Sequence, residues 1–134
     1  TFVFDTGTAW YRVLIWTYGI DNVANNPWIG VPFGFWERPS WMPSDTLDNY
    51  WLALALWGGL PTVTLLVLAI VGEMRAVHGP ISVAQTPDLR SCRYAWTATV
   101  LALCVVGATV YYWGALGVLF VFYLGLGGWL AEPQ

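Results

Sequence analysis

The fold is decided by residues 50–71, which read YWLALALWGGLPTVTLLVLAIV and contain no charged side chain. A helix of this length can cross a hydrocarbon layer about 30 Å thick. Two further apolar runs follow, at residues 94–112 and 115–131. Long uninterrupted apolar runs need lipid around them. We therefore predict an all-α fold, a polytopic membrane protein with three transmembrane helices.

Composition agrees with this prediction. Charged residues make up 10% of the chain and apolar residues 57%, and lysine is absent, whereas soluble domains carry about 25% charged residues. The acidic excess lies mainly in the first fifty residues, which argues against nucleic acid as a partner because that would need a basic face. Cys92 and Cys104 suggest neither a disulfide nor a metal site. We expect no cofactor, and the spans exclude a soluble partner-binding module.

The arginines predict the orientation. Residues 72–93 carry three arginines, against two in residues 1–48. The positive-inside rule then makes 72–93 a cytoplasmic loop and 1–48 extracytoplasmic, with the first span at 49–71. The turn between the last two spans is so short that they should form a tight antiparallel hairpin. We expect the chain to be a fragment of a larger protein whose amino-terminal helices complete its site.

A helix is predicted ahead of the first span. Thr8 can cap a helix from about residue 9 to residue 24, and residues 25–27, Asn-Asn-Pro, should end it. Its apolar residues lie nearly all the way round, interrupted by Arg12 and Asp21, which suits the membrane surface or a cleft between spans. The simplest interpretation is an interfacial amphipathic helix whose Arg12 reaches lipid phosphate.

A loop of fixed shape follows at residues 27–43, because its prolines and glycines forbid regular structure. Its aromatic rings, among them Trp36 and Trp41, suit the apolar faces of sugars and equally suit the bilayer interface. Composition does not choose between these two partners. Arg38 adds a planar donor that can hold a phosphate with two parallel hydrogen bonds.

The opening and the middle of the first span carry the remaining candidates. Asp45 or Ser44 is expected to cap the helix. Asp48 lies a turn deeper, beside Asn49, where a partly desolvated carboxylate is a candidate general base. Pro61 predicts a kink, which membranes tolerate where neighbouring groups satisfy the freed carbonyl. A packing kink without function is the simpler interpretation of that proline.

Four segments occur in a suggestive order: RVLIW at residues 12–16, NPWIGV at 26–31, DNYWL at 48–52 and GLP at 59–61. In this order and spacing they resemble the carboxy-terminal half of the bacterial O-antigen ligase/polymerase superfamily. The resemblance covers about residues 6–71, half the chain, and the last two spans match only in placement and hydrophobicity. An Asp-Asn pair stands where the ligases have His-Asn, which favours the O-antigen or exopolysaccharide polymerase-like branch.

The resemblance implies a multi-pass glycosyltransferase of the bacterial inner membrane, with its site facing the periplasm. Such an enzyme transfers a saccharide from a polyprenyl diphosphate carrier to a growing polysaccharide or to lipid A-core, with inversion and without a metal. Arg12 would stabilise the diphosphate and Asp48 would accept the proton of the acceptor hydroxyl. Five further residues would bind substrate: Arg38, Asn49, Trp16, Trp36 and Trp41.

A non-catalytic membrane component, such as a polysaccharide flippase or an assembly scaffold, is the alternative. It explains the spans, the aromatic residues at their ends and the interfacial helix equally well. It does not explain why an arginine, an aromatic loop and an Asp-Asn pair occur in that order. An upstream repeat of the same helical unit would favour a transporter. As a transferase, the fragment alone is expected to be inactive.

Overall fold

The computed structural model describes residues 6–42, 44–79, 87–112 and 114–131. These residues form four helices and no strand: α1 at Thr6–Asn25, α2 at Tyr50–Val77, α3 at Pro87–Gly107 and α4 at Ala115–Ala131. The predicted all-α class is therefore confirmed for the described part of the chain. Residues 80–86, which belong to the predicted cytoplasmic loop, lie outside it.

The helix ends agree with the prediction in part. α1 ends at Asn25 as expected and α4 occupies Ala115–Ala131 as expected, but α1 begins at Thr6, so that Thr8 lies within its first turn. α2 continues to Val77, beyond residue 71, and α3 begins at Pro87, ahead of residue 94. Charged residues end an apolar run without ending a helix, because the backbone hydrogen bonds do not depend on side-chain polarity.

The membrane prediction is supported by one helix. Among the described helices, only α2 is both long enough and apolar enough to cross a membrane, and 22% of its most apolar stretch is buried. A core helix of a soluble protein would be mostly buried, so α2 suggests association with a membrane. α4 is apolar but has 17 residues. Of the three predicted spans, the lengths and compositions of the described helices support one, α2.

The chain divides into two units, Thr1–Thr64 with Ala108–Tyr111, and Leu65–Gly107 with Tyr112–Gln134. In the first unit, α1, the loop after it and the start of α2 share a buried apolar cluster. Gly19 of α1 faces Leu52 of α2 so closely that a Cβ would come within 2.8 Å of the leucine side chain. The cluster consists of Ile15, Met42, Leu47, Leu52 and Ala53.

The loop after α1 is bonded to a break in α2. Gly59 has non-helical angles, φ 71° and ψ 177°, which interrupts the helical hydrogen bonds. The N–H of Val31 donates to the carbonyl of Leu56 at 2.7 Å, and the N–H of Leu60 donates to the carbonyl of Pro27 at 2.8 Å. In an unbroken helix Leu60 would donate to Leu56. The hydrogen bond from Leu60 to Leu56 is therefore replaced by two hydrogen bonds between α2 and the loop.

The second unit contains the antiparallel hairpin predicted between α3 and α4. Trp96 of α3 donates its indole N–H to the carbonyl of Tyr123 at 3.0 Å. Arg93 donates from Nε and Nη2 to the carbonyl of Leu130, at 3.0 and 2.6 Å, near the end of α4. The start of α3 thus lies against the end of α4. Carbonyls in the last turn of a helix have no partner within it, which is why a buried arginine is useful there.

Candidate functional site

A cleft of about 600 Å³ lies in the first unit, between the end of α1 and the loop that follows it. Its volume is in the range of small-molecule sites, which usually measure about 300–1,000 Å³. The lining combines asparagines, carboxylates, an arginine and aromatic rings, and it is formed by Asn22, Asn26, Gly30, Val31, Pro32, Gly34, Phe35, Trp36, Glu37, Arg38 and Asp45.

Asn22 joins α1 to the far side of the cleft. Its side chain is buried, 5% exposed. Its Oδ1 accepts the backbone N–H of Glu37 at 2.8 Å, and its Nδ2 donates to the carbonyl of the same residue at 2.8 Å. An amide matches both backbone groups at once because it carries a donor and an acceptor side by side. Asn22 therefore sets the position of Glu37 and, through the chain, of Arg38.

Three further side chains hold the loop through its backbone carbonyls. Trp36 donates its indole N–H to Asp45 at 3.1 Å, and Tyr11 of α1 donates its hydroxyl to Ser44 at 2.6 Å. Arg38 donates from Nη1 to the carbonyl of Met42 at 2.9 Å. Each bond closes part of a segment that has no helix or strand. The cleft consequently has a wall fixed by hydrogen bonds.

Arg12 and Trp16 lie on the exposed side of α1, outside the cleft. Both side chains are exposed and neither is among the lining residues. Within the described ranges Arg12 has no hydrogen bond and no ion pair. Its neighbour Tyr11 reaches Ser44, so this part of α1 packs beside the segment that leads into α2. Arg12 is thus a cation presented at the surface of the first unit.

Asp48 and Asn49 occupy the entrance of α2 and have different surroundings. Asp48 is half-buried, does not line the cleft and forms no ion pair with Arg12. Asn49 is buried, and its Oδ1 accepts the N–H of Leu52 at 2.8 Å. Its Nδ2 also donates to the carbonyl of Ala108. Asn49 is therefore the amino-terminal cap of α2.

The expected cap at Ser44 or Asp45 was wrong. Ser44 Oγ instead accepts the backbone N–H of Thr46 at 3.1 Å, which forms a local turn ahead of the helix. The helix begins at Tyr50, so a cap has to be the residue directly before it. The proposed substrate contact of Asn49 stays a prediction, and the structure gives that side chain a capping role.

The aromatic loop presents several rings outwards. Trp41 is 62% exposed and does not line the cleft. Phe35 is also exposed and does line it. Phe33 is 76% exposed, yet its ring packs against that of Trp57 of α2 in a tilted arrangement, with 4.5 Å between the centroids. The loop thus offers free aromatic surface on a backbone that is held in place.

The structure brings together two of the predicted site residues, Arg38 and Trp36, and leaves the others elsewhere on the first unit. Sequence reasoning missed the positioning role of Asn22. Its signal was available, because Asn22 follows Ile15 and Gly19 on one helical stripe at intervals of four and three residues. A polar residue on a buried stripe has to find hydrogen-bond partners.

The side chains that could bind a metal ion limit what the site can hold. In the part of the chain that the structure describes, no group of three or more histidine, cysteine or acidic side chains is arranged to hold a metal. The cleft offers hydrogen-bond donors, acceptors and ring faces instead.

Comparisons with protein-family models, curated proteins and solved structures find no match to this chain.

Proposed function

We propose that this chain is part of a membrane glycosyltransferase of the O-antigen polymerase or ligase type. The enzyme transfers a saccharide from a polyprenyl diphosphate carrier to a growing polysaccharide, or to lipid A-core, at the periplasmic face of the bacterial inner membrane. Its site includes the first unit and is completed by other helices of the same protein. The reaction inverts the anomeric carbon and requires no metal.

One observation carries the proposal: two of the segments on which the resemblance rests are bonded to each other. Residues 26–31 include the turn that meets the break at Gly59. The N–H of Leu60, in the segment 59–61, donates to the carbonyl of Pro27, and the N–H of Val31 donates to Leu56, three residues ahead of that segment. Two short sequences about thirty residues apart thus form one structural element. This supports the resemblance, because two of the segments on which it rests are in direct contact.

The chemistry assigned to the site uses Arg12 and Asp48. The acceptor hydroxyl oxygen attacks the anomeric carbon while the bond from that carbon to the diphosphate oxygen breaks. The electron pair leaves with the diphosphate, whose charge Arg12 stabilises. The hydroxyl proton passes to the carboxylate of Asp48. Arg12 has no protein partner among the described residues, which leaves its guanidinium available for phosphate.

The base is tested by Asp48→Asn in the full-length protein. Asparagine has nearly the same shape but cannot accept the proton, so we expect polymer synthesis to fall by about 100-fold or more at equal amounts of folded protein. Asp88→Asn is the control, because Asp88 is exposed at the start of α3. Undiminished synthesis by the Asp48 variant would remove Asp48 from the mechanism.

The cation is tested by binding of the carrier lipid to Arg12→Ala. We expect weaker binding of the lipid diphosphate and slower transfer, with partial recovery in Arg12→Lys, which keeps the charge but not the planar fork. Arg90→Ala is the control, since Arg90 is also exposed on a helix. Unchanged binding and turnover would make Arg12 a surface anchor and favour a flippase or scaffold for the whole protein.

A further inference from the structure

The cleft between α1 and the aromatic loop has a chemical character of its own. Its lining residues include two acidic ones, Glu37 and Asp45, and one arginine, Arg38. Negative charge therefore exceeds positive charge. A diphosphate would meet net repulsion there, because stabilising it needs an excess of fixed cations. The structure thus separates this cleft from the task assigned to Arg12.

Arg38 is also partly engaged by the protein. One of its terminal nitrogens donates to the carbonyl of Met42 at 2.9 Å. The bond holds the guanidinium plane along the loop and leaves its other N–H groups for a ligand. A guanidinium held in this way can donate hydrogen bonds to the hydroxyl and ring oxygens of a sugar.

The remaining lining groups complete the chemistry. Asn26 contributes an amide that can both donate and accept, and the two carboxylates are acceptors for hydroxyl groups. The exposed ring of Phe35 and the half-buried ring of Trp36 offer apolar faces beside these polar groups. A pyranose presents the matching combination, with hydroxyl groups around the edge of its ring and apolar C–H groups on its faces. A volume of about 600 Å³ accommodates a short saccharide.

We propose that this cleft binds an uncharged stretch of the acceptor glycan, apart from the arginine that meets the donor diphosphate. That the bound glycan is the acceptor rests on the proposed function. The preference for an uncharged saccharide follows from the residues that line the cleft. Asn22, paired with both backbone groups of Glu37, acts as a positioning residue for the cleft. Substrate specificity then resides in the part of the loop that lines the cleft, residues 30–38 and Asp45.

A binding measurement tests this proposal independently of transfer activity. The full-length protein in nanodiscs is titrated with oligosaccharides from partial hydrolysis of the polysaccharide that the source cell exports, and separately with inorganic pyrophosphate. In the Glu37→Gln, Asp45→Asn double variant we expect the oligosaccharide Kd to rise about tenfold or more. Pyrophosphate binding should stay equal or become tighter. Asp88→Asn serves as the matched control.

A second variant guards against misfolding. Phe35 is 73% exposed, so Phe35→Ala removes a ring face without opening the core, and we expect it to weaken oligosaccharide binding as well. Unchanged oligosaccharide affinity in both variants would overturn the proposal. Competitive displacement of bound oligosaccharide by pyrophosphate in the wild-type protein would make the cleft a diphosphate site and overturn the proposal too. Oligosaccharide binding without any transfer by the wild-type protein would instead contradict the proposed function alone.

Discussion

Single residues decide how the loop meets α2, and glycine is required at two of them. A Cβ on Gly59 would lie 2.6 Å from the carbonyl oxygen of Trp28, and one on Gly30 would lie 2.5 Å from that of Leu56. Both residues have positive φ, 71° and 78°. Backbone strain and collision therefore act together at these positions, and only a residue without a side chain avoids both.

We expect Gly59→Ala and Gly30→Ala each to lower the free energy of unfolding by more than about 2 kcal/mol. Gly34→Ala separates the two effects, because Gly34 has φ 82° but nothing within 4 Å of its position for a Cβ. That variant should lose about 1 kcal/mol from strain alone. Thermal unfolding of the purified protein measures all three. Equal losses would show that the loop does not pack against the break as described.

Asn49 makes a prediction that distinguishes capping from substrate binding. Asn49→Ala removes the cap of α2 and the partner of the Ala108 carbonyl, so we expect a loss of about 2 kcal/mol. Asn49→Ser keeps a capping oxygen and should lose about half as much. Differential scanning fluorimetry provides the comparison. Lower transfer activity without any change in thermal stability would instead support a contact with substrate.

At the scale of elements, Asn22 of α1 holds the cleft wall at Glu37. Asn22→Ala leaves the N–H and the carbonyl of Glu37 without their partner, and we expect a loss of about 2 kcal/mol. Hydrogen exchange provides a local measurement, because the amide of Glu37 should exchange faster. Asn25→Ala, on the exposed end of the same helix, is the control and should leave that amide protected.

The hairpin of α3 and α4 depends on a small residue at its contact. A Cβ on Gly127 would lie 2.5 Å from Cζ2 of Trp96, whose ring is 2% exposed and is held by its bond to Tyr123. We expect Gly127→Ala to destabilise the protein by about 1–3 kcal/mol. Gly125→Ala on the same helix meets nothing within 4 Å and should gain up to about 1 kcal/mol from helix propensity. Thermal unfolding of both variants tests the pair, and a gain in both would contradict the packing.

For the whole molecule, the helices leave much apolar surface uncovered. Large apolar side chains are exposed along α2, α3 and α4, among them Leu65, Val105 and Phe122, at 67%, 71% and 65%. Soluble monomers rarely expose contiguous apolar surface of this kind. Lipid would cover it, in agreement with the membrane association that the apolar length of α2 suggests.

The predicted orientation can be measured without knowing the function. Cys92 is exposed near the start of α3, in the predicted cytoplasmic part, and Ser40 is exposed in the predicted outer loop. The test uses full-length protein that lacks Cys104. In intact cells, we expect an impermeant maleimide to label the Ser40→Cys variant, in which Cys92 is also replaced by alanine. Cys92 should react only after the membrane is opened. Labelling of both from the same side would reject the predicted topology.

Local patterns were sufficient for much of the element layout. The end of α1 at Asn25 and the bounds of α4 follow from Asn-Pro punctuation and from an apolar run, which act within a turn or two of the chain. The sequence also singled out Trp36 and Arg38, which line the cleft. Helix ends that were predicted from charged residues were less accurate, since Glu73 and Arg75 lie within α2.

The sequence by itself determined a helical, apolar chain with an aromatic loop before its longest helix, because these features follow from neighbours along the chain. Only the tertiary structure decided which distant groups meet: Leu60 with Pro27, Asn22 with Glu37, and Asn49 with Ala108. Such pairs satisfy backbone groups that a broken helix and an irregular loop leave unbonded. Which partner satisfies them depends on how the elements pack, and no local pattern encodes that choice.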